Sequence, residues 1–446
     1  MPDLLALHSR FPQRYPHLLS SAAQGTPRAR YDILFAFPGD MLTLSADYQL
    51  HRNEQKLADN DFLAALDKDW RAQLTAPLPN ASNAAPPFIG GWFVFLSYEL
   101  VSQIETTVKN IFTVPEFPLA MATRFPAAVI VDHLKQTAML MCETPHVNDL
   151  LPLLQEDVRR TPAMTLEKII LAQLQEDDAQ QFLDNVERAQ EYIRAGDVFQ
   201  VNLSRAWRAK LHGHIRPATL FRQLCAANPA PFAGLMTWGD RRAVISSSPE
   251  RLVEVRGTSV RTRPIAGTYP RSADQNQDRQ LSQELLRHPK ERAEHVMLID
   301  LERNDLGRIC RTGSVKVQEF MTLESYRHVH HIVSEVCGQL RADISPAQVI
   351  RAVFPGGTIT GCPKVRCMQI IAELERTARL AYTGSMGYIN RDGSLDLNIL
   401  IRTLIQTGDE IYLRAGAGIV ADSIAPRELA ETRAKARGML AALGAI

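Results

Sequence analysis

The sequence lacks the features that mark several classes of protein. Its 446 residues carry a formal net charge of only +1, so no basic excess points to a nucleic acid or a membrane surface as a partner. Apolar runs such as residues 127–131 are far too short to span a bilayer. The amino terminus has no basic stretch followed by an apolar one, so no signal peptide is indicated. These absences predict a cytoplasmic protein.

Cysteine is scarce and scattered. The six cysteines include no Cys-x-x-Cys pair, which argues against a sulfur-based metal site and predicts free thiols in a reducing compartment. Cys362 follows a glycine but has no Gly-x-Cys-x-Gly elbow, so we do not expect a thiol nucleophile. His328, His330 and His331 cannot all bind zinc from one strand, because neighbours on a strand point to opposite faces.

The chain divides into two regions that differ in proline content and in their helix and strand patterns. Residues 1–160 carry many prolines and short strand-like runs such as 91–96, whereas residues 178–442 mix helix and strand signals without a regular βαβ rhythm. Apolar residues at helical spacing predict a helix over 179–195. No repeat of 20 to 50 residues is evident. The pattern predicts a mixed α/β fold of the α+β type, with large, mostly antiparallel sheets and flanking helices.

Two pairs of glutamates repeat one spacing. Glu291 and Glu294 lie three residues apart in one helical segment, and Glu428 and Glu431 in another, so each pair projects from one helix face. Two such pairs can converge on one magnesium ion, which accepts one or two carboxylates and shares its other positions with water and an anionic substrate. On spacing alone, a solvated helix face is the commoner explanation, because Glu-x-x-Glu is frequent on exposed helices.

A glycine-rich segment at residues 355–364 precedes a helix-like stretch at 365–374. Glycine lets the backbone approach an anion, and a helix N-terminus presents free N–H groups. The phosphate-loop pattern Gly-x-x-x-x-Gly-Lys-Ser/Thr is not met, so the segment is either a carboxylate-binding turn or a structural turn. Gly416 and Gly418, which follow the strand-like run 410–413, are a second place where a ligand can approach the backbone.

Six motifs, in the same order along the chain, resemble those of the chorismate-utilising enzymes. They are AGDVFQVNLSR (195–205), SSPER (247–251), RPIAGT (263–268), EHVMLIDLERND (294–305), GCPKVR (361–366) and AGAGIV (415–420). That family contains the large subunits of anthranilate synthase and aminodeoxychorismate synthase, together with isochorismate and salicylate synthases. The resemblance implies a sandwich-like β core flanked by helices, as in anthranilate synthase component I, into which both regions of the chain are fused.

The resemblance also implies a metal site. Glu294 and Glu431 match the family's magnesium ligands, and Glu291 and Glu428 match residues that hold metal-bound water. The ion would bind the ring carboxylate of chorismate. The cofactor predicted by the resemblance is therefore Mg²⁺.

Catalytic and substrate-binding residues follow from the same resemblance. Glu250 matches the general acid that protonates the departing 4-hydroxyl group, a step the chemistry requires because hydroxide is a poor leaving group. Thr268 and Gln200 complete the implied catalytic set. The positions that match substrate contacts are Thr358, Tyr382, Arg402, Gly416, Gly418, Lys435 and His331. The guanidinium of Arg402 would pair with the enolpyruvyl carboxylate.

Gln200 indicates the nucleophile. Family members that add water carry a lysine at this position as a base, and glutamine cannot accept that proton. Ammonia, which is already nucleophilic, is therefore the expected attacker. The chain has no amidotransferase signature of its own, so a separate glutamine amidotransferase subunit is implied as the ammonia-supplying partner.

The residues divide between the two aminating activities. Ala266 stands where typical aminodeoxychorismate synthases carry a lysine proposed to attack ring carbon 2, and anthranilate synthases also have alanine there. The short chain and the motifs at 30–33 (RYDI) and 228–232 (NPAPF) favour the aminodeoxychorismate side. Residues 18–21 read LLSS, without the glutamate of the tryptophan-sensing Leu-Leu-Glu-Ser. We favour 4-amino-4-deoxychorismate as the product and keep anthranilate as the alternative. A third hypothesis is a non-catalytic subunit that binds chorismate or tryptophan, but the intact acid and metal positions argue against it.

Overall fold

The structure is a computed structural model that describes residues 1–23, 30–75, 86–109, 111–239, 241–272, 274–325 and 329–445. Its strands are β1 (His17–Ser20), β2 (Tyr31–Ala36), β3 (Met41–Leu44), β4 (Leu50–Arg52), β5 (Gln55–Lys56), β6 (Gly91–Leu96), β7 (Ala120–Phe125), β8 (Ala127–Asp132), β9 (Thr137–Cys142), β10 (Leu171–Glu176), β11 (Gln200–Leu211), β12 (Phe232–Trp238), β13 (Arg242–Ser248), β14 (Arg251–Arg256), β15 (Ser259–Thr262), β16 (Ile265–Pro270), β17 (Lys316–Ser325), β18 (Val329–Gln339), β19 (Gly361–Cys362), β20 (Ser385–Asn390), β21 (Leu395–Asn398), β22 (Thr403–Thr407) and β23 (Glu410–Ile419). Its helices are α1 (Leu4–Arg10), α2 (Phe62–Ala72), α3 (Val101–Ile104), α4 (Val147–Arg160), α5 (Ala179–Arg194), α6 (Pro217–Ala227), α7 (Gln275–Arg287), α8 (Pro289–Gly307), α9 (Pro346–Val353), α10 (Lys364–Glu375) and α11 (Ala425–Ala442).

The strands form two large antiparallel sheets. The order in the first sheet is β10-β11-β23-β22-β13-β12-β1-β2-β8-β9, with β19 paired to β11. The order in the second is β16-β18-β15-β14-β21-β20-β6-β7-β3-β4-β5, with β17 paired to β18. The mixed α/β fold with large antiparallel sheets is therefore confirmed. In the first sheet β1 pairs with β12, and in the second β6 pairs with β20, so both sheets contain strands from residues 1–160 and from 178–442. The boundary between these two regions stays a prediction.

Strand β6 shows how the layers pack. All six of its residues are buried, because the strand has a protein layer on each face. Phe93 and Phe95 point into the core shared by the two sheets, and the Phe93 ring lies 5.3 Å from that of Phe35 on β2. Trp92 and Val94 point the other way, into a core completed by α2, α8 and α9. Helices α1, α6 and α11 cover the far side of the first sheet, which gives a helix–sheet–sheet–helix order.

Several local predictions are also confirmed. The helix predicted over 179–195 is α5, and Gly196 follows it with φ of +83°, a left-handed conformation that glycine adopts without a steric cost. The two glutamate pairs lie on α8 and α11, as their spacing indicated. The six cysteines are all unpaired. None of the helices in the described ranges is both long enough and apolar enough to cross a membrane.

Candidate active site

Strands β11 and β23 form the floor of the candidate site. Gln200 and Asn202 lie two residues apart on β11, and Asn202 pairs with Gly418 on β23. A Cβ atom at Gly416 would lie 2.5 Å from the Tyr382 hydroxyl oxygen, and one at Gly418 would lie 2.3 Å from Gln200 Nε2. Real Cβ atoms do not approach other atoms that closely. The absence of a side chain at Gly416 and Gly418 therefore makes space for the side chains of Tyr382 and Gln200 over β23. At both glycines, the atoms that approach the backbone closely belong to protein side chains.

Gln200 and Glu294 join this floor to helix α8. Gln200 Nε2 donates a hydrogen bond of 2.7 Å to Glu294 Oε1, which fixes the orientation of the amide. The Gln200 side chain is buried, and within the described ranges its Oε1 has no hydrogen-bond partner. A buried acceptor without a partner is costly, so this oxygen is suited to a ligand that brings a donor or a cation.

Glu250 occupies the connection between β13 and β14. It is 6% exposed, and Thr358 Oγ1 donates a hydrogen bond of 2.6 Å to its Oε1. Burial raises the pKa of Glu250 to about 7, although the Thr358 hydroxyl and the positive charge of Lys435 act in the opposite direction. A carboxyl group that still carries its proton near neutral pH has the property a general acid needs.

The charge of Lys435 acts on this acid, and the backbone of Lys435 holds a second cation, Arg402. Arg402 is half-buried, adopts a left-handed backbone with φ of +53°, and donates from Nη1 to the Lys435 carbonyl oxygen at 2.6 Å. Burial lowers the pKa of Arg402, while the nearby Tyr382 and Glu431 raise it. Lys435 Nζ lies 2.6 Å from Glu431 Oε1 one turn earlier on α11. Lys435 therefore links Arg402 and Glu431 to the surroundings of Glu250.

His331 and Glu291 border a bulge in β16. The ring of His331 hydrogen-bonds to the backbone of Gly267, and burial together with the charge of Arg402 lowers its pKa to about 4. The imidazole is therefore neutral at neutral pH. Gly267 has φ of +74°, and a Cβ atom there would lie 3.0 Å from Glu291 Oε2. The backbone conformation favours glycine at this position, and a larger residue would crowd the Glu291 carboxylate.

The four glutamates predicted to serve the metal stand around the site rather than in one closed cluster. Glu294 contacts Gln200, Glu431 contacts Lys435, and Glu428 is buried in the first turn of α11. Across the described ranges, no three His, Cys, Asp or Glu side chains gather closely enough to hold a metal ion. Magnesium needs only one or two carboxylates when a substrate and water complete its shell. The carboxylate of Glu294 beside the unpartnered amide oxygen offers the hard oxygen donors that this ion prefers, so the residues fit it and the magnesium site stays a prediction.

Sequence reasoning missed two residues of the site. Asn202 Oδ1 accepts a hydrogen bond of 3.5 Å from the Tyr382 hydroxyl, and the two-residue period of β11 places it on the same face as Gln200. That period was a usable signal. Glu302 is buried on α8, where burial and the charges of Asp305 and Glu250 raise its pKa. Nothing in its local sequence distinguishes it from an exposed helical glutamate.

Two predicted or considered residues cannot be placed. The side chain of Thr268 and the whole of His328 lie outside the described residues. The neighbouring His330 is described, and its ring contacts Ser325 Oγ at 2.7 Å and Asp278 Oδ1 at 3.1 Å. These contacts give His330 a structural role in joining β18 to α7.

Comparisons with known proteins identify the family of the chain. The chain matches the family model described as chorismate binding enzyme over residues 19–441. It is 42% identical over 360 residues to the anthranilate synthase component I-like protein of Synechocystis sp., which covers 80% of this chain and 73% of that protein. It is 39% identical over 409 residues to aminodeoxychorismate synthase component 1 of Bacillus subtilis, which covers 88% of this chain and 84% of that protein. The crystal structure of anthranilate synthase component I from Streptococcus pneumoniae matches with a TM-score of 0.82 at 32% identity, covering 93% of both chains. The resemblance seen in the motifs is confirmed, and the chain belongs to the chorismate binding enzyme family, as a chorismate-utilising enzyme of the anthranilate and aminodeoxychorismate synthase class.

Proposed function

We propose that the chain is the large component of an aminodeoxychorismate synthase. It replaces the 4-hydroxyl group of chorismate with an amino group and forms 4-amino-4-deoxychorismate, which leads to 4-aminobenzoate and folate. The observation that carries the reaction is the buried Glu250, whose pKa of about 7 lets it supply a proton at working pH, near the cation Lys435. The same centre serves the alternative, anthranilate formation.

Glu250 performs the first proton transfer. Its Oε1 is held by Thr358 Oγ1, so its proton is directed at the departing hydroxyl. The carbon–oxygen bond breaks, the oxygen leaves as water, and a carbon–nitrogen bond forms with ammonia. The new ammonium group then loses one proton, which balances the proton that Glu250 gave up. General acid catalysis of this kind contributes about 10²- to 10⁴-fold in rate.

The remaining groups bind the dianionic substrate. Arg402 is suited to a carboxylate because its side chain is half-buried and a guanidinium pairs bidentately with planar anions. A magnesium ion held by Glu294 and Glu431, with Glu291 and Glu428 on its water molecules, would neutralise the charge of the ring carboxylate. Tyr382 and His331 line the same region, and the neutral imidazole of His331 can accept or donate a hydrogen bond.

Gln200 supports ammonia as the nucleophile. A glutamine amide cannot act as a base, and its Nε2 is already committed to Glu294. Water would need a base to become nucleophilic, whereas ammonia does not. The ammonia then comes from a separate glutamine amidotransferase subunit, and we place the pair in the cytoplasm.

A small cavity bears on the choice between the two products. The motifs that distinguish the two activities meet there, because Ser20, Arg30, Tyr31 and Phe232 line the same cavity of about 210 Å³. Ser20 stands where a tryptophan-sensing enzyme has its glutamate, so this lining lacks a carboxylate for tryptophan's ammonium group at that position. This difference supports the aminodeoxychorismate assignment.

One observation favours anthranilate instead. Ala266 is 8% exposed and lies opposite Ile332 on β18, so this position offers no nucleophile for ring carbon 2. If 4-amino-4-deoxychorismate is the product, ammonia or another group must act at that carbon.

A product assay distinguishes the two activities. Purified protein is incubated with chorismate, magnesium and ammonium salt, with and without the lyase that converts 4-amino-4-deoxychorismate to 4-aminobenzoate. We expect 4-aminobenzoate to form only when the lyase is present. Direct anthranilate fluorescence without lyase would establish the alternative, and unconsumed chorismate would refute both.

The pH dependence of turnover follows from Glu250. Only its protonated form can donate, so kcat is expected to fall as the pH rises through about 7, the pKa that burial gives this group. The measurement is kcat at saturating chorismate from pH 6 to 9, with free ammonia held constant at each pH. A kcat that stays level across this range would show that another group is the acid.

A further inference from the structure

The turn that carries Tyr382 is held in an unusual conformation. Leu380 and Thr383 have φ of +56° and +63°, in the left-handed region that side chains other than glycine rarely adopt. Non-glycine residues persist there only where their surroundings enforce the conformation, and such residues are concentrated at functional sites. Something in the surrounding structure must therefore hold this turn in place.

Glu99 holds the turn from beneath. Its Oε1 accepts hydrogen bonds from the backbone N–H groups of Arg379 at 2.7 Å and of Leu380 at 3.1 Å. The backbone N–H of Tyr98 donates to the Leu380 carbonyl oxygen at 3.0 Å. Glu99 is 1% exposed, and its second oxygen, Oε2, has no hydrogen-bond partner among the residues that the structure describes. Burying a carboxylate costs free energy, and Glu99 is neither one of the predicted magnesium ligands nor the predicted general acid.

Arg379 extends this support to the site. Its guanidinium lies 4.9 Å from the ring centre of Tyr98 and 5.5 Å from that of Tyr382. Its Nη2 donates to the carbonyl oxygen of Asn202 at 2.8 Å, and its carbonyl oxygen accepts from the N–H of Tyr382 at 3.0 Å. The Tyr382 hydroxyl in turn donates to Asn202 Oδ1. A continuous set of contacts therefore joins Glu99 to the hydroxyl of Tyr382.

We propose that Glu99 is a positioning residue for chorismate binding, whose carboxylate fixes the strained turn that presents Tyr382 to the substrate. The inference rests on the proposed function, because Tyr382 is a substrate contact only there. Glu99 itself touches no reacting atom. It acts through the backbone of residues 379–380, so its loss weakens substrate binding more than it slows the chemical step.

The charge of Glu99 makes this support depend on pH. Burial raises its pKa to about 7, while the backbone N–H groups of Arg379 and Leu380 act to lower it, so these N–H groups bind the ionised form more strongly. In the described part of the chain, the titratable groups near it are Tyr98, which precedes it, and Arg379, whose backbone it holds, with Glu375 and Cys367 bearing on Tyr98. As the pH falls through about 7, Glu99 takes up a proton and its hold on the turn weakens. The KM for chorismate should then rise.

The test compares Glu99→Gln and Glu99→Ala with the wild-type chain from pH 6 to 8.5. In the wild type, we expect KM for chorismate to increase several-fold toward pH 6. Glu99→Gln keeps an acceptor for the two N–H groups but does not titrate, so its KM should be nearly independent of pH. Glu99→Ala leaves both donors unpaired and should raise KM about tenfold, with kcat changed much less. Glu143→Gln is the matched control, because Glu143 is equally a buried glutamate but pairs with Arg124 and Arg391.

Each outcome decides the matter. A wild-type KM that does not change with pH, or Glu99 variants that keep the wild-type KM profile, would overturn the proposal. If a variant fails to fold, a wild-type KM that stays level from pH 6 to 8.5 still overturns the proposal. If chorismate is not consumed at all, the proposed function fails, and calorimetric dissociation constants for chorismate over the same pH range replace KM. Absence of chorismate binding would overturn both.

Discussion

Replacing Glu250 with glutamine is expected to lower kcat for chorismate consumption by about 10²- to 10⁴-fold, the usual contribution of a positioned general acid. Glutamine has nearly the same shape, and its amide oxygen can still accept the hydrogen bond from Thr358 Oγ1. It cannot give a proton to the departing hydroxyl. The loss should therefore appear in kcat rather than in KM, and the residual rate should no longer fall as the pH rises through about 7.

Glu254→Gln is the control for this substitution. Glu254 is also a buried carboxylate in the same segment, but it pairs with Arg251, Arg256 and Arg261 instead of facing the site. Breaking that network should lower the thermal unfolding temperature while kcat stays close to wild type. Wild-type turnover in Glu250→Gln would remove the acid assignment and direct attention to Glu302, a buried carboxyl whose pKa is raised by burial and by the charges of Asp305 and Glu250.

Local patterns in the sequence were sufficient for some of the elements but not for their arrangement. The helical spacing of Phe182, Val186 and Ala189 reflects a period that one segment carries by itself, and these residues are buried on α5. The pairing of β1 with β12 joins Leu19 to Gly234, more than two hundred residues apart. No local pattern identifies such a partner, because a strand that is buried on both faces pairs equally well with many others.

The roles of the site residues could be predicted from the family resemblance, but only partly from the spacing and chemistry of the residues themselves. The Glu-x-x-Glu spacing on α8 and α11 suggested a metal, but spacing cannot say which carboxylate meets Gln200 and which meets Lys435. The proton affinity of Glu250 depends on burial by distant segments, including the turn at Thr358. Glu99 gave no signal at all, because its partners lie about 280 residues away along the chain.

Glu294→Gln and Glu431→Gln are each expected to abolish magnesium-dependent turnover, with a loss of more than about 100-fold. Replacing residues that merely support metal ligands already costs about 10- to 100-fold in affinity or activity, which is the range expected for Glu291→Gln and Glu428→Gln. Glutamine at 294 can still accept the hydrogen bond from Gln200 Nε2, so the floor of the site is preserved. The loss of turnover can then be attributed to the missing negative charge. The measurement is the rate as a function of magnesium concentration at saturating chorismate.

The Glu431 variant separates metal binding from stability. The ion pair between Glu431 and Lys435 joins neighbouring turns of α11 at partly exposed positions, and such pairs contribute only about 0.3–0.5 kcal/mol. The unfolding temperature should therefore change little while the magnesium response disappears. Glu187→Gln, on the exposed face of α5, serves as the control and should respond to magnesium like the wild type. If either ligand variant keeps the wild-type magnesium response, the two glutamates do not share an ion. The charge of the ring carboxylate would then have to be met by Lys435, which acts on Glu250, and by Arg402, which is bonded to the Lys435 carbonyl.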